Sequence, residues 1–118
     1  MEIRLYDSEL KLMELIWEKK TVNARDLSRL AEERIGWNKN TTYTILKKLV
    51  EKGYVSRKEP GFICRPLLSR EEAQRHEAKG LINRLFGGSR DALFSALIEE
   101  EKLTESEISK LRALIDGR

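Results

Sequence analysis

Apolar and polar positions follow two different rhythms along this chain. From residue 5 to 53, and again from 69 onward, apolar residues recur every three or four positions, the spacing of a helix with one buried face. Between 54 and 66 the spacing shortens to that of extended chain. Asp7 or Ser8 is placed to cap a first helix, Glu9 to Glu18, whose stripe of Leu12, Leu15 and Ile16 is widened by Leu5, Met13 and Trp17. Asn23 caps a second, Ala24 to about Glu33, with Ala24, Leu27, Leu30 and Ala31 on one side. Ile35-Gly36-Trp37 interrupts the pattern, and Gly36 supplies the positive φ that a tight turn between helices often needs. A third helix starts at a polar cap after Trp37 and stops at Gly53, with Ile45, Leu46 and Leu49 on one face and Thr42 one turn earlier.

Tyr54-Val55-Ser56-Arg57-Lys58 and Phe62-Ile63-Cys64-Arg65-Pro66 are two short extended runs joined by the turn signal Glu59-Pro60-Gly61. Val55 and Ile63 are the candidate inward residues. A lone hairpin is marginal, so this one must pack on the helices. Beyond Pro66-Leu67-Leu68-Ser69 the helical period returns. Ser69 caps a helix with Glu71 and Glu72 in its first turn, where the helix dipole favours acids, and Ala73, Leu81, Leu85 and Phe86 are its apolar members. Gly87-Gly88 ends it at Phe86, and Ser89 caps the next, which carries Ala92, Leu93, Phe94, Ala96, Leu97 and Ile98. Leu103-Thr104 breaks again, Thr104 and Glu107 form a capping box, and the last helix carries Ile108, Leu111, Leu114 and Ile115, with Gly117 just past its end.

The expected architecture is mainly α with a small β-hairpin. Three helices and a hairpin over residues 1–68 have the layout of a winged helix-turn-helix, in which the third helix enters the major groove and the hairpin lies along the phosphates. Residues 69–118 form a helical domain too small to bury much core alone, and two copies wrapped together bury a good one. Leu81, Leu85, Phe86, Leu93, Phe94, Leu97, Ile98, Ile108, Leu111, Leu114 and Ile115 are therefore the candidate dimerisation residues.

The polar face of the third helix carries the chemistry. Asn38, Lys39, Asn40, Thr41, Tyr43, Thr44, Lys47 and Lys48 bring amide, hydroxyl and amine groups to it at helical spacing, with no acid before Glu51. Such groups hydrogen-bond base edges and phosphates, whereas an ordinary solvated helix more often mixes Glu with Lys. Arg57, Lys58 and Arg65 on the hairpin are placed to meet phosphate. A chain-wide net charge of +3 says little, but its distribution is uneven. Residues 1–33 hold six Lys/Arg against eight Asp/Glu, residues 34–65 eight against two, and residues 66–118 nine against ten. The surplus of +6 falls on the third helix and the hairpin, the footprint expected of a duplex-binding surface.

Other chemistry is thinly represented. At 118 residues, 40% hydrophobic and 36% charged, the chain is one or two small globular domains. No apolar run approaches the roughly 20 residues that cross a bilayer, and the amino terminus is too polar for a signal peptide, so a cytoplasmic location is expected. A single cysteine excludes an internal disulfide. Cys64 beside Arg65 could act as a redox sensor if its pKa were lowered, although a small apolar strand residue is the plainer reading. Glu72 and His76 are one turn apart, but a structural metal site wants about four ligands, so neither a metal nor a cofactor is expected. The threonines and Tyr43 lack a base, and Gly87-Gly88-Ser89 lacks the strand and lysine of a phosphate loop, so no enzyme is expected.

The chain resembles the penicillinase-repressor family of bacterial winged-helix repressors (BlaI/MecI/CopY type) over nearly its full length. The resemblance rests on Ser8-Glu9-Leu10 through Ile16-Trp17, on Trp37-Asn38 with Asn40-Thr41-Thr42, Thr44, Lys48-Leu49 and Lys52-Gly53, and on Leu85-Phe86-Gly87-Gly88-Ser89 leading into Leu93. It implies a homodimer that binds palindromic operator DNA and represses transcription. Asn38-Lys39 replaces the Ser-Pro that members commonly carry after the tryptophan, and Tyr43 stands where a longer polar or basic side chain is usual. Well-known members are cut in the middle C-terminal helix by a membrane-bound sensor protease. Here that bond would lie near Ala96-Leu97, without the Asn-Phe pair, so a β-lactam response is not implied. The paired cysteines of the copper-responsive branch are absent. The alternative is a ligand- or redox-sensing winged-helix regulator of another family, with its effector held by the C-terminal helices or Cys64. A winged helix used only for protein interaction is disfavoured by the basic polar face.

Overall fold

The apolar stripes of the first three helices meet in one core. In the computed structural model, which describes residues 3–101 and 104–116, these helices are α1 (Asp7–Lys19), α2 (Ala24–Arg34) and α3 (Lys39–Glu51). Leu12, Met13 and Ile16 of α1, Leu27 and Ala31 of α2 and Leu46 and Leu49 of α3 are wholly buried together. Asn23 caps α2 by accepting a hydrogen bond from the Asp26 amide at 2.8 Å, as its position suggests. α1 begins slightly earlier than its polar residues suggest. Tyr6 is its N-cap residue, and the amide of Tyr6 donates to Glu9 Oε1 at 2.9 Å.

Three strands complete the first unit. The hairpin strands are β2 (Val55–Lys58) and β3 (Ile63–Pro66), but the sheet also contains β1 (Val22–Asn23), in the order β1-β3-β2 and antiparallel throughout. The expected hairpin is present, and the short β1, which was not expected, extends it to a three-stranded sheet. Two residues are too short to show an alternating pattern, and Asn23 announced only its helix cap. The inward set is corrected. Val55 and Cys64 are buried, whereas Ile63 is half-buried on the other face, opposite Asn23 and Lys58. A one-residue slip moves a whole strand's side chains across the sheet, and hydrophobicity alone favours the larger Ile63 over the small Cys64 as the inward residue.

The chain divides into two units, Met1–Arg75 and His76–Arg118. The segment leading out of the sheet is anchored within the first. Leu68 is buried, and its carbonyl accepts from Trp17 Nε1 at 2.8 Å. Ser69 and Glu72 form a reciprocal cap at the start of α4 (Arg70–Leu85), whose Ala73 reaches the core. That exchange of hydrogen bonds, amide first, also holds the Glu72 carboxyl below its ordinary pKa.

Two further helices complete the second unit, α5 (Arg90–Glu101) and α6 (Glu105–Asp116). Gly87 and Gly88 take positive φ after α4, Ser89 Oγ accepts from the Ala92 amide at 3.0 Å, and Thr104 and Glu107 cap α6 as expected. Leu103 and Gly117, expected to mark helix ends, lie outside the described residues. No described side chain of residues 76–118 is fully buried: Leu81, Phe86, Leu93, Phe94, Leu97 and Ile108 are half-buried, while Leu85 and Ile98 are 66% and 44% exposed. The side chains of Leu111, Leu114 and Ile115 lie outside the described set. No helix among the described residues is long and apolar enough to cross a membrane.

One charge is sealed in the first unit. Glu9 is only 1% exposed, and Lys52 Nζ reaches its Oε1 at 2.7 Å while lying 4.7 Å above the Tyr6 ring. Glu9 Oε2 has no hydrogen-bond partner. Tyr54 closes the same corner, accepting the Arg4 amide on its hydroxyl at 2.9 Å. Removing one member of such a pair strands the other in a dry site. Lys52→Ala is expected to lower unfolding free energy by about 2–4 kcal/mol in urea titrations, whereas Lys47→Ala, on the open face of α3, should change it by less than about 0.5 kcal/mol. Equal stability of the two variants would show that Glu9 does not depend on Lys52.

Candidate nucleic-acid interface

α3 presents its outer face because its inner face is fully committed. Asn38 Oδ1 accepts from the Thr41 amide at 2.8 Å and fixes the start of the helix, and the Asn38 carbonyl accepts from Thr42 Oγ1 at 3.3 Å. Thr42, Ile45, Leu46 and Leu49 turn inward and are buried. Gly36, at φ +84°, turns the chain from α2 into this helix. Lys39, Asn40, Thr41, Thr44, Lys47 and Lys48 are left exposed, and Tyr43 is half-buried at the edge. The first turn holds no acid.

The cations of this surface differ in their commitments. None of Lys39, Lys47, Lys48 or Lys58 makes a salt bridge among the described residues. Arg65 extends from β3 and donates through Nε to Thr21 Oγ1 at 3.3 Å. Arg57 is engaged within the wing: its Nε and Nη2 each lie 2.8 Å from Glu59 Oε2, and its Cζ sits 3.8 Å above the Phe62 ring. The Arg57 hydrogen bond, followed by one from the Phe62 amide, holds the Glu59 carboxyl below its ordinary pKa. Asn38 spends its amide oxygen on the helix cap, so it offers mainly its NH2 group outward.

Two residues that the sequence did not single out join the surface. Arg25 and Arg29 of α2 line a cleft of about 410 Å³ with Ser28, Glu32, Lys39 and Tyr43. A neighbouring cleft of about 490 Å³ continues past Tyr43 to Gly61 and Phe62 at the wing. These arginines sit inside a segment whose net charge is acidic, which masks them. Their i, i+4 spacing on one helix face was the available signal.

A model of the penicillinase repressor family matches residues 5–117. The chain belongs to that family. Membership makes it a DNA-binding transcriptional repressor. Its curated relatives include the methicillin resistance regulatory protein MecI of Staphylococcus aureus (strain N315), 26% identical over 94% of this chain and 92% of the relative. The penicillinase repressor of Bacillus licheniformis is 22% identical over 96% of this chain and 90% of its own length. Among solved structures, the DNA-binding domain of the repressor BlaI superposes with a TM-score of 0.55 at 24% identity, covering 61% of this chain and 93% of that one, a likeness of fold.

Cys64 does not have the character of a sensor. It is buried on β3, and burial pushes its thiol up from 9.0 to about 11. The conditional redox expectation needed a lowered value and is corrected: Arg65 points away from the thiol on the exposed face of the strand. Among the described residues no group of three His, Cys, Asp or Glu side chains can hold a metal ion. A rise of about two pH units cuts the thiolate fraction near pH 8 by about 100-fold. Iodoacetamide should therefore alkylate the native protein at least 100-fold more slowly than the urea-unfolded chain. Equal rates would restore Cys64 as a reactive group.

Proposed function

We propose that this chain represses transcription by binding palindromic operator DNA as a homodimer in the cytoplasm. The first two turns of α3 read base edges in the major groove. The wing and the flanking lysines neutralise phosphates. The observation that carries this reading is the outer face of α3: it is exposed, free of acids in its first turn, and set with lysines that have no ion-pair partner among the described residues. Asn40 suits a bidentate contact to adenine, and the methyls of Thr41 and Thr44 suit a thymine methyl. Lys39, Lys47, Lys48, Lys58 and Arg65 supply sequence-independent attraction.

Dimerisation is assigned to residues 69–118, whose described apolar side chains beyond Ala73 remain half-buried or exposed in a single copy. A two-fold dimer matches a two-fold operator, because each half-site then meets the same helix. Ala96 and Leu97 are half-buried in the middle of α5, so a protease acting there would need that helix opened first. The burial of Cys64 and its raised pKa count against redox control.

Sedimentation of the full chain at micromolar concentration should give twice 13.8 kDa. The double variant Leu85→Glu, Ile98→Glu alters side chains already exposed in one copy, so it should remain folded and sediment as a monomer. A wild-type monomer would remove the two-fold arrangement.

A second experiment separates reading from holding. Duplexes selected from a random library by the wild-type protein serve as the specific site, and scrambled duplex as the nonspecific one. Thr44→Ala should cost about 1–3 kcal/mol on the specific site and little on scrambled duplex at the same salt. An unchanged ratio of the two affinities would mean that Thr44 does not read sequence.

A further inference from the structure

We propose that Phe62 clamps the wing to the recognition helix and that Arg57 serves this clamp instead of a DNA phosphate. The inference rests on the DNA-binding reading above and refines it, by dividing the wing's cations into one that positions and two that bind.

Phe62 is half-buried and held by four contacts. Its ring meets Tyr43 of α3 edge-on, with centroids 6.2 Å apart and planes at 68°, an arrangement that aligns the positive edge of one ring with the negative face of the other. The Arg57 guanidinium covers the ring at 3.8 Å. The Phe62 amide donates to Glu59 Oε1 at 3.1 Å, and its carbonyl accepts from the amide of Ala24, the first residue of α2, at 3.0 Å. It also stands at φ +50°, a region that bulky residues seldom adopt and keep only where their surroundings hold them. One residue therefore ties the wing to both helices of the helix-turn-helix.

Arg57 completes the arrangement and is tied into it. Two of its guanidinium nitrogens are engaged with one Glu59 oxygen, while the other Glu59 oxygen holds the Phe62 amide. For Arg57 to turn these two nitrogens to a phosphate it would have to give up Glu59, leaving that exposed carboxylate unpaired beside the DNA. Lys58 has no such ties, and Arg65 has only a 3.3 Å hydrogen bond to Thr21. Phosphate neutralisation by the wing thus falls to Lys58 and Arg65, and Arg57 sets where they stand.

The slope of log affinity against log salt reports how many phosphates the protein neutralises, and a positioning residue leaves that number unchanged. The full-length protein is titrated with the selected duplex at several salt concentrations. Lys58→Ala should reduce the slope by roughly 0.9 for each phosphate that the lysine neutralises. Arg57→Ala and Phe62→Ala should each weaken specific binding by about threefold to tenfold, the scale of an aromatic pair, and leave the slope at its wild-type value. The double variant should be no weaker than either single one, because both remove the same clamp. Phe62→Tyr, which keeps a ring, should bind as the wild type does. Phe62→Leu gives the same reading as Phe62→Ala should the alanine variant fail to fold. A slope lowered by Arg57→Ala as much as by Lys58→Ala would make Arg57 a phosphate ligand and overturn the proposal. Normal affinity of folded Phe62→Leu or Phe62→Ala would overturn it as well. If Lys58→Ala and Arg65→Ala, singly and together, change neither slope nor affinity, the wing is not on DNA and the underlying reading fails, a result distinct from the other two.

Discussion

Thr42, Ile45, Leu46 and Leu49 must all be dry, and a helix of 13 residues has only one face to give them. This demand on α3 organises the first unit. α1 and α2 supply the apolar stripes that receive it. Asn38 fixes its start, and Gly53, at φ +81°, releases the chain into the sheet. With the inner face committed, the remaining side chains of α3 have nowhere to go but solvent, and they are chiefly amides, hydroxyls and lysines. Packing thus decides the orientation of the polar face, and composition decides its chemistry. Neither alone makes a recognition surface.

The sheet follows the same division. Val55 and Cys64 face the core, which leaves Lys58 and Arg65 outside. Each outward cation owes its position to a buried neighbour one residue away or to a cross-strand partner. Cys64 acts here as a small apolar side chain. The corner built by Glu9, Lys52 and Tyr54 belongs to the same logic at the far end of α3, where a buried carboxylate draws in a lysine from just beyond the helix. Lys52 is consequently turned inward and held away from the surface that Lys39, Lys47 and Lys48 share.

Much of this was legible in the residues themselves. Caps are local signals, so Asn23, Ser69, Ser89 and Thr104 could be assigned from three or four neighbours each. The helical stripes of α1, α2 and α3 were equally plain. What escaped reading was non-local. Glu9 looks like an ordinary acid in a first turn, and its partner lies 43 residues away. β1 is two residues long and exists only because β3 pairs with it. Arg25 and Arg29 gain meaning only when α2 lies beside Lys39 and Tyr43. The pairing of Arg57 with Glu59 was within reach, since i and i+2 share a face in a strand, but the stacking on Phe62 depends on a turn conformation that no spacing rule conveys.

The central claim is that the face of α3 left open by core packing is the surface that DNA covers. Lysine acetylation followed by mass spectrometry tests it directly, since the exposed lysines are distributed over the whole chain. The account predicts that the selected duplex protects Lys39, Lys47, Lys48 and Lys58 and leaves Lys11 and Lys79, also exposed, as reactive as in free protein. Protection of Lys11 or Lys79 with no change at Lys47 and Lys48 would contradict it.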